Sequence, residues 1–146
     1  MKKKAGLTLI ELLMAIGAIM LLGGLSIPYF MSFQVSSESD AAGQEIIQSL
    51  RRAKIKAIAA ENDDNWGLAV KNQKITIFKG SIFDSRDQSF DEAFDLPPTI
   101  AAFGLTELYF NKLSGIPSAV GTINLLDTGL KQKNISINAN GTADFQ

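Results

Sequence analysis

An apolar segment near the N-terminus limits what the rest of this chain can fold into. Lys2, Lys3 and Lys4 precede the segment, which runs from Leu7 to Ile27 and contains 21 residues. As an α-helix it is about 31 Å long, which matches the hydrocarbon thickness of a bilayer. Three lysines precede it and the next cationic residue is far along the chain, so the positive-inside rule predicts a cytoplasmic N-terminus and an exported remainder.

The apolar segment contains one charged residue, Glu11, placed one helical turn from its start. A lone carboxylate in such surroundings is costly and is expected to have a partner. The next basic residue after Lys4 is Arg51, so the sequence predicts a partner from outside the segment. Cleavage after Gly6 would expose the amino group of Leu7 one turn from Glu11, and it would remove the three lysines.

The motif that begins at Gly6, with the sequence GLTLIELL, resembles the processing site of type IV pilins and type II secretion pseudopilins. In that family a prepilin peptidase cuts after the glycine, and the new N-terminus is methylated. The resemblance implies that Gly6 precedes the cut and that Leu7, where the family most often has Phe, is the methylated residue. It also implies that Glu11 pairs with a neighbour's amino terminus during assembly and that Pro28 is the family's helix-kinking proline.

Two other kinds of segment begin with lysines and an apolar run. A cleaved secretory signal has a shorter apolar core, and its small-residue cut site follows the core, whereas Ala5 and Gly6 precede it here. An ordinary membrane anchor accounts for the length of the segment but not for the position of Glu11. The prepilin-type interpretation accounts for both features.

Charge and composition weigh against several functional classes. The 146-residue chain has a net charge of −1, and loss of three lysines would lower this to −4, so a generally basic nucleic-acid surface is not expected. The chain has no cysteine, which excludes disulfides and cysteine metal sites, and no histidine, the commonest general base. No nucleophile or phosphate-loop motif occurs, so we expect neither an enzyme nor a bound cofactor or metal.

The chain divides into four predicted parts: a leader at 1–6, a transmembrane and filament-core helix at 7–28, an amphipathic continuation at 29–62, and a β-rich head at 63–146. The predicted fold class is α+β, in which a long N-terminal helix packs on a small antiparallel β-sheet head, as in pilins. Pro28 and Gly43 weaken helices, so a kink or melted turn is expected between them.

The amphipathic part shows the spacing of one helix face. Its apolar positions are Ile46, Leu50, Ala53 and Ala57, widened by Ile47 and Ile58. The other side carries four cations, Arg51, Arg52, Lys54 and Lys56, which we interpret as a solvated face rather than a nucleic-acid or lipid contact. Residues 61–65 are expected to end the helix.

Beyond residue 65 the pattern is typical of short strands. A hairpin is predicted from 66–70 and 74–78, with Trp66 in the core. Further strands are predicted at 99–103, 107–111, 120–126, 134–138 and 142–145. Asn140-Gly141 predicts a tight turn between the last two strands.

Residues 80–98 interrupt the strand pattern and are rich in acids. The five acids are Asp84, Asp87, Asp91, Glu92 and Asp95. They could supply oxygen ligands to Ca²⁺, but their spacing does not match the EF-hand template. A solvated surface loop anchored by Phe83, Phe90 and Phe94 is the preferred interpretation.

The C-terminal third resembles the head of the minor pseudopilin H group, which includes minor pilins of pilus biogenesis. The resemblance rests on the motif 108–111 with Gly115, on 121–125, and on 135–137 followed by Gly141-Thr142. Some DNA-binding minor pilins of this group carry a Gly-Arg-x-Arg element near the C-terminus. The matching place here, 141–144, reads Gly-Thr-Ala-Asp and has no arginine, which argues against that activity.

The function that the resemblance implies is a structural, minor subunit of a type IV pilus or type II secretion pseudopilus. Its partners would be the prepilin peptidase, other pilin or pseudopilin subunits, the inner-membrane assembly platform and, before assembly, membrane lipid. It would cross the bacterial inner membrane once, with an extracytoplasmic head, before entering the filament. The alternatives are a DNA-binding minor pilin for DNA uptake and a membrane-anchored extracytoplasmic sensor or enzyme.

Overall fold

The computed structural model describes residues 8–146, without the side chains of residues 24–32. One helix, α1, extends from Leu9 to Ile58. The described chain then forms eight strands: β1 (Trp66–Lys71), β2 (Lys74–Lys79), β3 (Glu92–Asp95), β4 (Ile100–Gly104), β5 (Glu107–Phe110), β6 (Gly121–Asp127), β7 (Gln132–Ile137) and β8 (Ala143–Phe145). The chain divides into two compact units, one up to Gln34 and one from Val35 to Gln146.

The backbone of α1 is helical through both Pro28 and Gly43, so the melted turn expected between them is not found in the described residues. Gly43 has a packing role instead. A Cβ atom at this position would lie 2.6 Å from Cε1 of Phe145. A side chain at Gly43 would therefore have to displace the ring of Phe145, the last residue of β8.

The amphipathic stripe of α1 is confirmed. Ile46, Leu50, Ala53 and Ala57 are buried, with at most 1% of each exposed, and Ile47 is buried beside them. Ile58 departs from the prediction because 45% of its surface is exposed. The core-facing stripe therefore ends at Ala57, one residue before the helix does.

The segment after α1 ends the helix through left-handed residues. Ala60 has φ of 50° and Asn62 has φ of 54°. A short 3₁₀ turn, Glu61–Asp63, follows, and the carbonyl oxygen of Glu61 accepts a hydrogen bond from Nε1 of Trp66 at 2.9 Å. The fully buried Trp66 thereby fixes the start of β1 against the helix end, as its predicted core position requires.

The first sheet is antiparallel, in the order β3-β2-β1-β5. The predicted hairpin is β1 and β2, joined by Asn72 and Gln73 with φ of 54° and 57°. Two consecutive left-handed residues are what a type I′ turn requires. The twist of this turn matches that of the flanking strands.

The edge strand β3 lies within residues 80–98, where no strand was predicted. It pairs antiparallel with β2, and its alternate residues Ala93 and Asp95 are exposed. Only Phe94 supplies a large apolar side chain. A strand of four residues with three polar or small members has too little alternation to be recognised from sequence.

The second sheet is antiparallel, in the order β4-β6-β7-β8. Its inward residues alternate along β6 and β7, where Ile123, Leu125, Ile135 and Ile137 are buried. The predicted turn between β7 and β8 is confirmed, because the side chain of Asn138 accepts hydrogen bonds from the backbone N–H groups of residues 140 and 142, each at 3.0 Å.

The stripe of α1 and the inward residues of both sheets form one hydrophobic core. The α+β class, a long helix packed on antiparallel sheet, is confirmed, although the head contains two sheets. The outer face of the first sheet is also buried, because Phe83 packs edge-on against Phe78 with ring centroids 5.5 Å apart. Phe83, in the segment that follows β2, therefore covers part of that face.

Candidate assembly surface

The N-terminal end of α1 is closed by a reciprocal contact between Thr8 and Glu11. Carboxylate oxygen Oε2 of Glu11 accepts hydrogen bonds from the backbone N–H of Thr8 at 3.2 Å and from its hydroxyl at 3.1 Å. The hydroxyl of Thr8 in turn accepts from the backbone N–H of Glu11 at 3.3 Å. This is a capping box, and its Thr-x-x-Glu signature is visible in the sequence.

Glu11 thus has polar partners in its own chain, which the sequence reasoning missed because it considered only basic partners. The capping bonds satisfy backbone donors that the first helical turn leaves free. They do not neutralise the carboxylate. Both hydrogen bonds that the Glu11 carboxylate accepts from Thr8 end on Oε2. The lone pairs of Oε1 can therefore still accept a hydrogen bond from an ammonium group.

The first turns of α1 expose apolar side chains on every side. Between 42% and 77% of the surface of ten large apolar residues is exposed: Leu9, Ile10, Leu12, Leu13, Met14, Ile16, Ile19, Met20, Leu21 and Leu22. A helix that is apolar all round is normally covered by lipid or protein. This part of α1 is therefore a surface that requires an apolar partner.

In the part of the chain that the structure describes, no helix combines the length and apolarity needed to traverse a bilayer. Gly6 and Leu7, the predicted processing and methylation residues, and the leader 1–6 lie outside the described residues. Pro28 belongs to the continuous backbone of α1, and its side chain is outside the described set.

The C-terminal part of α1 is attached to β3 by a cluster of charges around Glu92. The carboxylate of Glu92 pairs with Nη1 of Arg52 at 3.1 Å and with Nζ of Lys56 at 3.0 Å. Lys56 also pairs with Glu61 at 2.8 Å, and its ammonium lies 4.2 Å from the ring centroid of Trp66. The cluster joins the helix, the turn after it and the edge strand of the first sheet.

The charges of this cluster stabilise each other. Burial raises the pKa of Glu92, but hydrogen bonds from Lys56 and Arg52 outweigh burial, so the net pKa is lowered. Burial lowers the pKa of Lys56, while its bonds to Glu61 and Glu92 raise it, and the net pKa is raised. Both groups are therefore held in their charged forms by folding.

Further contacts tie α1 to the second sheet and to nearby loops. Glu38 accepts a hydrogen bond from the hydroxyl of Thr99 at 2.8 Å, and Asp40 forms an ion pair with Lys133. Nζ of Lys54 donates to the carbonyl of Asn140 at 2.6 Å, and the carbonyl of Ala57 accepts from the backbone N–H of Leu113 at 2.9 Å. This half of α1 is thus held along its length.

A second charged cluster holds the loop that follows β2. Glu107 pairs with Lys71 and accepts from the backbone N–H of Phe83 at 3.0 Å. The guanidinium of Arg86 lies 3.6 Å from the ring centroid of Phe83 and pairs with Asp91 at 2.8 Å. The bond to Glu107 raises the pKa of Lys71, and the pKa of Glu107 is lowered because Lys71 and the Phe83 N–H outweigh its burial.

The acids of the 80–98 segment are spread among separate local contacts. Asp91 pairs with Arg86, and Glu92 pairs with the cations of α1. Asp87 accepts hydrogen bonds from the hydroxyl and backbone N–H of Ser89, which lower its pKa. Within residues 8–146, no group of three or more His, Cys, Asp or Glu side chains is placed to hold a metal ion.

The basic residues of α1 do not form one solvated face. Arg51 and Arg52 are exposed, but Arg52 pairs with Glu92, and only 16% of the Lys56 side chain is exposed. Lys54 donates to Asn140 in the turn between β7 and β8, and Arg52 and Lys56 both pair with Glu92 of β3. Three of the four cations therefore attach the helix to the rest of the fold. Residues 141–144, which read Gly-Thr-Ala-Asp, lead out of the final turn into the start of β8.

Neither protein-family models nor curated protein sequences give a match to the chain. Two structures of the minor pseudopilin EpsH from the type 2 secretion system of Vibrio cholerae are similar to it. Each has a TM-score of 0.54 and 15% sequence identity and covers 75% of this chain, and the matches span 96% and 93% of the EpsH chains.

The similarity extends over most of the chain and shows that it has the fold of a minor pseudopilin: one long helix packed on antiparallel sheets. The sequence resemblance to the H group of minor pseudopilins predicted this fold. Within the motif at 108–111, which carried part of that resemblance, the first three residues belong to β5 (Glu107–Phe110) at the edge of the first sheet, and Asn111 follows the strand.

Proposed function

We propose that this protein is a structural, minor subunit of a type IV pilus or a type II secretion pseudopilus. The observation that carries the proposal is the exposed apolar surface of α1 between Leu9 and Leu22, attached to a chain with the minor-pseudopilin fold. Full burial of a large apolar side chain is worth about 1.5–3 kcal/mol, so covering these ten exposed side chains is worth on the order of 10 kcal/mol.

Lipid covers this surface before assembly, and neighbouring helices cover it in the filament. The apolar run from Leu7 to Ile27 extends past the described side chains at both ends, which gives it the length of a bilayer span. The N-terminus lies in the cytoplasm and the head outside the inner membrane. The helix keeps its apolar surroundings when it leaves the bilayer, so extraction into a filament is energetically feasible.

Processing prepares the helix for this transfer. Prepilin peptidase cuts after Gly6 on the cytoplasmic side, and the new amino group of Leu7 is methylated. The amino group carries a positive charge and approaches Oε1 of a neighbour's Glu11, while Thr8 of the same chain holds Oε2. Charge compensation makes burial of Glu11 between helices acceptable. The assembly platform of the inner membrane and other subunits are the remaining partners.

This role is structural rather than catalytic. The chain has no histidine or cysteine, and its charged clusters around Glu92 and Glu107 join elements of the fold. Carboxylates that pair with two cations are poor general bases because their pKa values are lowered.

Mass spectrometry of the protein isolated from its own cell tests the proposal. We expect a mature chain that begins at Leu7 and carries one additional methyl group. A Gly6→Leu variant, produced in the same way, is the control and is expected to keep residues 1–6. Native protein that still begins at Met1 would contradict the proposal. Presence of the mature chain in sheared or extracted filaments would support its structural role.

A further inference from the structure

Four exposed apolar side chains lie together where α1 ends. They are Ile55, Ile58, Leu113 and Ile116, of which 65%, 45%, 69% and 55% of the surface is exposed. We call them the apolar patch. In the described chain from residue 35 onward, nine large apolar residues are exposed, and four of the nine belong to this patch. Large apolar side chains gathered in one exposed place are typical of an interaction surface, whereas scattered ones are not.

The loop at 111–116 is fixed to the helix, so the apolar patch has a defined shape. The backbone N–H of Leu113 donates to the carbonyl of Ala57 at 2.9 Å. A Cβ at Gly115 would lie 2.6 Å from Cγ1 of Ile58, so the loop and the helix are in close contact. Because the patch is formed before a partner arrives, little conformational entropy is lost when it binds.

Two cations border the apolar patch on the helix side. Arg51 is exposed one turn before Ile55, and it forms no ion pair with any side chain that the structure describes. The stem of Lys54 lies beside Gly115, and its ammonium donates to the backbone carbonyl of Asn140 at 2.6 Å. A neutral carbonyl does not cancel the charge of Lys54, so both cations remain positive at the border.

The acids nearby do not cancel these two charges. Asp63 pairs with a third cation, Lys112, at 2.9 Å. Asp144 lines a small groove together with Arg51, but the two form no ion pair. The cluster around Glu92 contains two cations and two acids and is neutral. Three cations and two acids therefore border the patch, and its net charge is positive.

A minor subunit needs a contact that distinguishes one neighbour from another. The N-terminal part of α1 exposes apolar side chains on every side and offers the same surface to any apolar helix. The apolar patch is more selective, because a neighbour without carboxylates would desolvate its cations without pairing them. A second copy of this chain that met the patch with its own patch would place like charges opposite each other.

We propose that the apolar patch binds a different subunit of the same filament, through an apolar surface of that subunit with carboxylates at its border. Arg51 and Lys54 then face these carboxylates. This inference rests on the proposed function, because a filament of several kinds of subunit supplies such a neighbour. It assigns the choice of neighbour to the end of α1 and the loop at 111–116.

Photo-cross-linking tests the contact in filaments assembled by the cell that makes this protein. Leu113 is replaced by the photo-reactive residue p-benzoylphenylalanine in the full-length chain, and the adducts are identified by mass spectrometry. We expect one main adduct, to a different subunit that carries a prepilin-type N-terminus. The cross-linked peptide of that subunit should contain apolar residues next to Asp or Glu.

Leu130, replaced in the same way, is the matched control. It is 81% exposed, and its φ of 62° is close to the 66° of Leu113. Leu130 precedes the six-residue strand β7 and Asn140, which bonds Lys54, follows it, so the strand separates them by about 20 Å. We expect the adduct at position 130 to be several times less abundant than the adduct at position 113.

Charge variants test the border of the patch. Arg51→Glu on the chain with the photo-reactive residue at 113 should lower the yield of the adduct several-fold, whereas Arg51→Lys, which keeps the charge, should retain most of it. Exchange of the identified carboxylate of the neighbour for Lys should restore the yield with Arg51→Glu. Lys131→Glu, an exposed cation outside the patch, should leave the yield unchanged. Equal losses with Arg51→Lys and Arg51→Glu would refute the charged contact.

The outcomes separate this inference from the proposed function. If the mature chain is present in filaments while position 113 gives no more adduct than position 130, the patch is refuted as an interface and the structural role stands. A main adduct to a second copy of this chain, or to lipid, would also overturn the inference. A chain that keeps residues 1–6 and is absent from filaments would contradict the proposed function, and this inference with it.

Discussion

The ammonium group of Lys56 lies 4.2 Å from the ring centroid of Trp66, at the point where α1 ends and the first sheet begins. Glu92 holds this lysine from the sheet side at 3.0 Å. Trp66 is the only tryptophan of the chain, so its fluorescence reports on this junction.

Glu92→Gln should destabilise the fold moderately. It removes the charge that pairs with Arg52 and Lys56, and because the Glu92 side chain is 34% exposed we expect a loss of about 0.5–1.5 kcal/mol in the free energy of unfolding. Urea unfolding of the full-length protein in detergent, followed by Trp66 fluorescence, measures it. Asp95→Asn on the same strand is the control and should change stability by less than about 0.5 kcal/mol.

The ion pairs of Glu92 with Lys56 and of Glu107 with Lys71 predict how stability depends on pH. Folding lowers the pKa of Glu92 and of Glu107 below the ordinary 4.5, so their contribution is complete above about pH 4.5 and is lost as pH falls through the folded pKa values. Folding raises the pKa of Lys56 and of Lys71 above 10.5, so their contribution is lost only as pH rises beyond that value.

Stability should therefore be nearly level between about pH 5.5 and 9, because the chain has no histidine to titrate there. Unfolding curves across pH 3–10 check this expectation. Glu92→Gln should show a smaller loss at acid pH than the natural protein. An equal loss in both proteins would mean that other carboxylates govern acid unfolding.

Gly67→Ala should destabilise the first sheet by about 1–3 kcal/mol. A Cβ at Gly67 would lie 2.4 Å from Cζ of Phe78 and 2.8 Å from the backbone oxygen of Leu108, and that oxygen cannot move without disturbing the β1–β5 ladder. Gly121→Ala is the matched control, because its nearest contact would be 3.4 Å from a flexible Leu105 side chain. Thermal unfolding of both variants gives the comparison.

Variants of the capping box should separate the local role of Glu11 from its role in assembly. Glu11→Gln keeps an oxygen that can accept from Thr8 but removes the charge, and we expect its incorporation into filaments to fall at least tenfold. Thr8→Ala removes the capping hydroxyl and costs about 1 kcal/mol at the helix end, with little effect on incorporation. Quantitative blotting of filament and membrane fractions measures both. Equal loss in the two variants would assign Glu11 to helix capping alone.

Substitutions at Gly6 should affect processing in order of side-chain size. Gly6→Ala is expected to be cut at a reduced rate, and Gly6→Leu is expected to remain uncut. The shift in gel mobility on removal of residues 1–6 reports cleavage in cells that contain the peptidase. Wild-type cleavage of Gly6→Leu would exclude this position as the processing site.

The long helix and most strands could be predicted because their apolar residues repeat with clear periods. The spacing of Ile46, Leu50, Ala53 and Ala57 predicts the buried face, and Asn140-Gly141 predicts the last hairpin. The same periodicity placed Ile58 in the core wrongly. Spacing alone does not show where the sheets stop, and the helix projects one residue past the core.

The strand β3 and the division into two sheets could not be predicted, since both depend on contacts between distant residues. Glu92 lies in a strand because residues 92–95 pair with β2 and because its carboxylate pairs with two cations of α1. Nothing in residues 91–95 themselves predicts either contact. The role of Phe83 in covering Phe78 likewise requires the folded sheet.

At the candidate site, the exposed apolar helix and Glu11 were predicted from the sequence. The hydrogen-bond partner of Glu11 could also have been predicted, because Thr8 stands three residues before it. A prediction that considers only basic partners overlooks a hydroxyl. The ion pair between Arg52 and Glu92 could not be predicted, because the two residues meet only when α1 lies against β3.

The attachment of α1 along its side has a mechanical consequence. Its ties to the rest of the fold are spaced from Glu38, which bonds Thr99, to Ala57, which bonds Leu113. Tension applied along the helix axis would load these ties in shear and nearly together, instead of peeling them apart one after another. A subunit pulled by its helix should therefore resist more force than one whose helix is attached at one end alone.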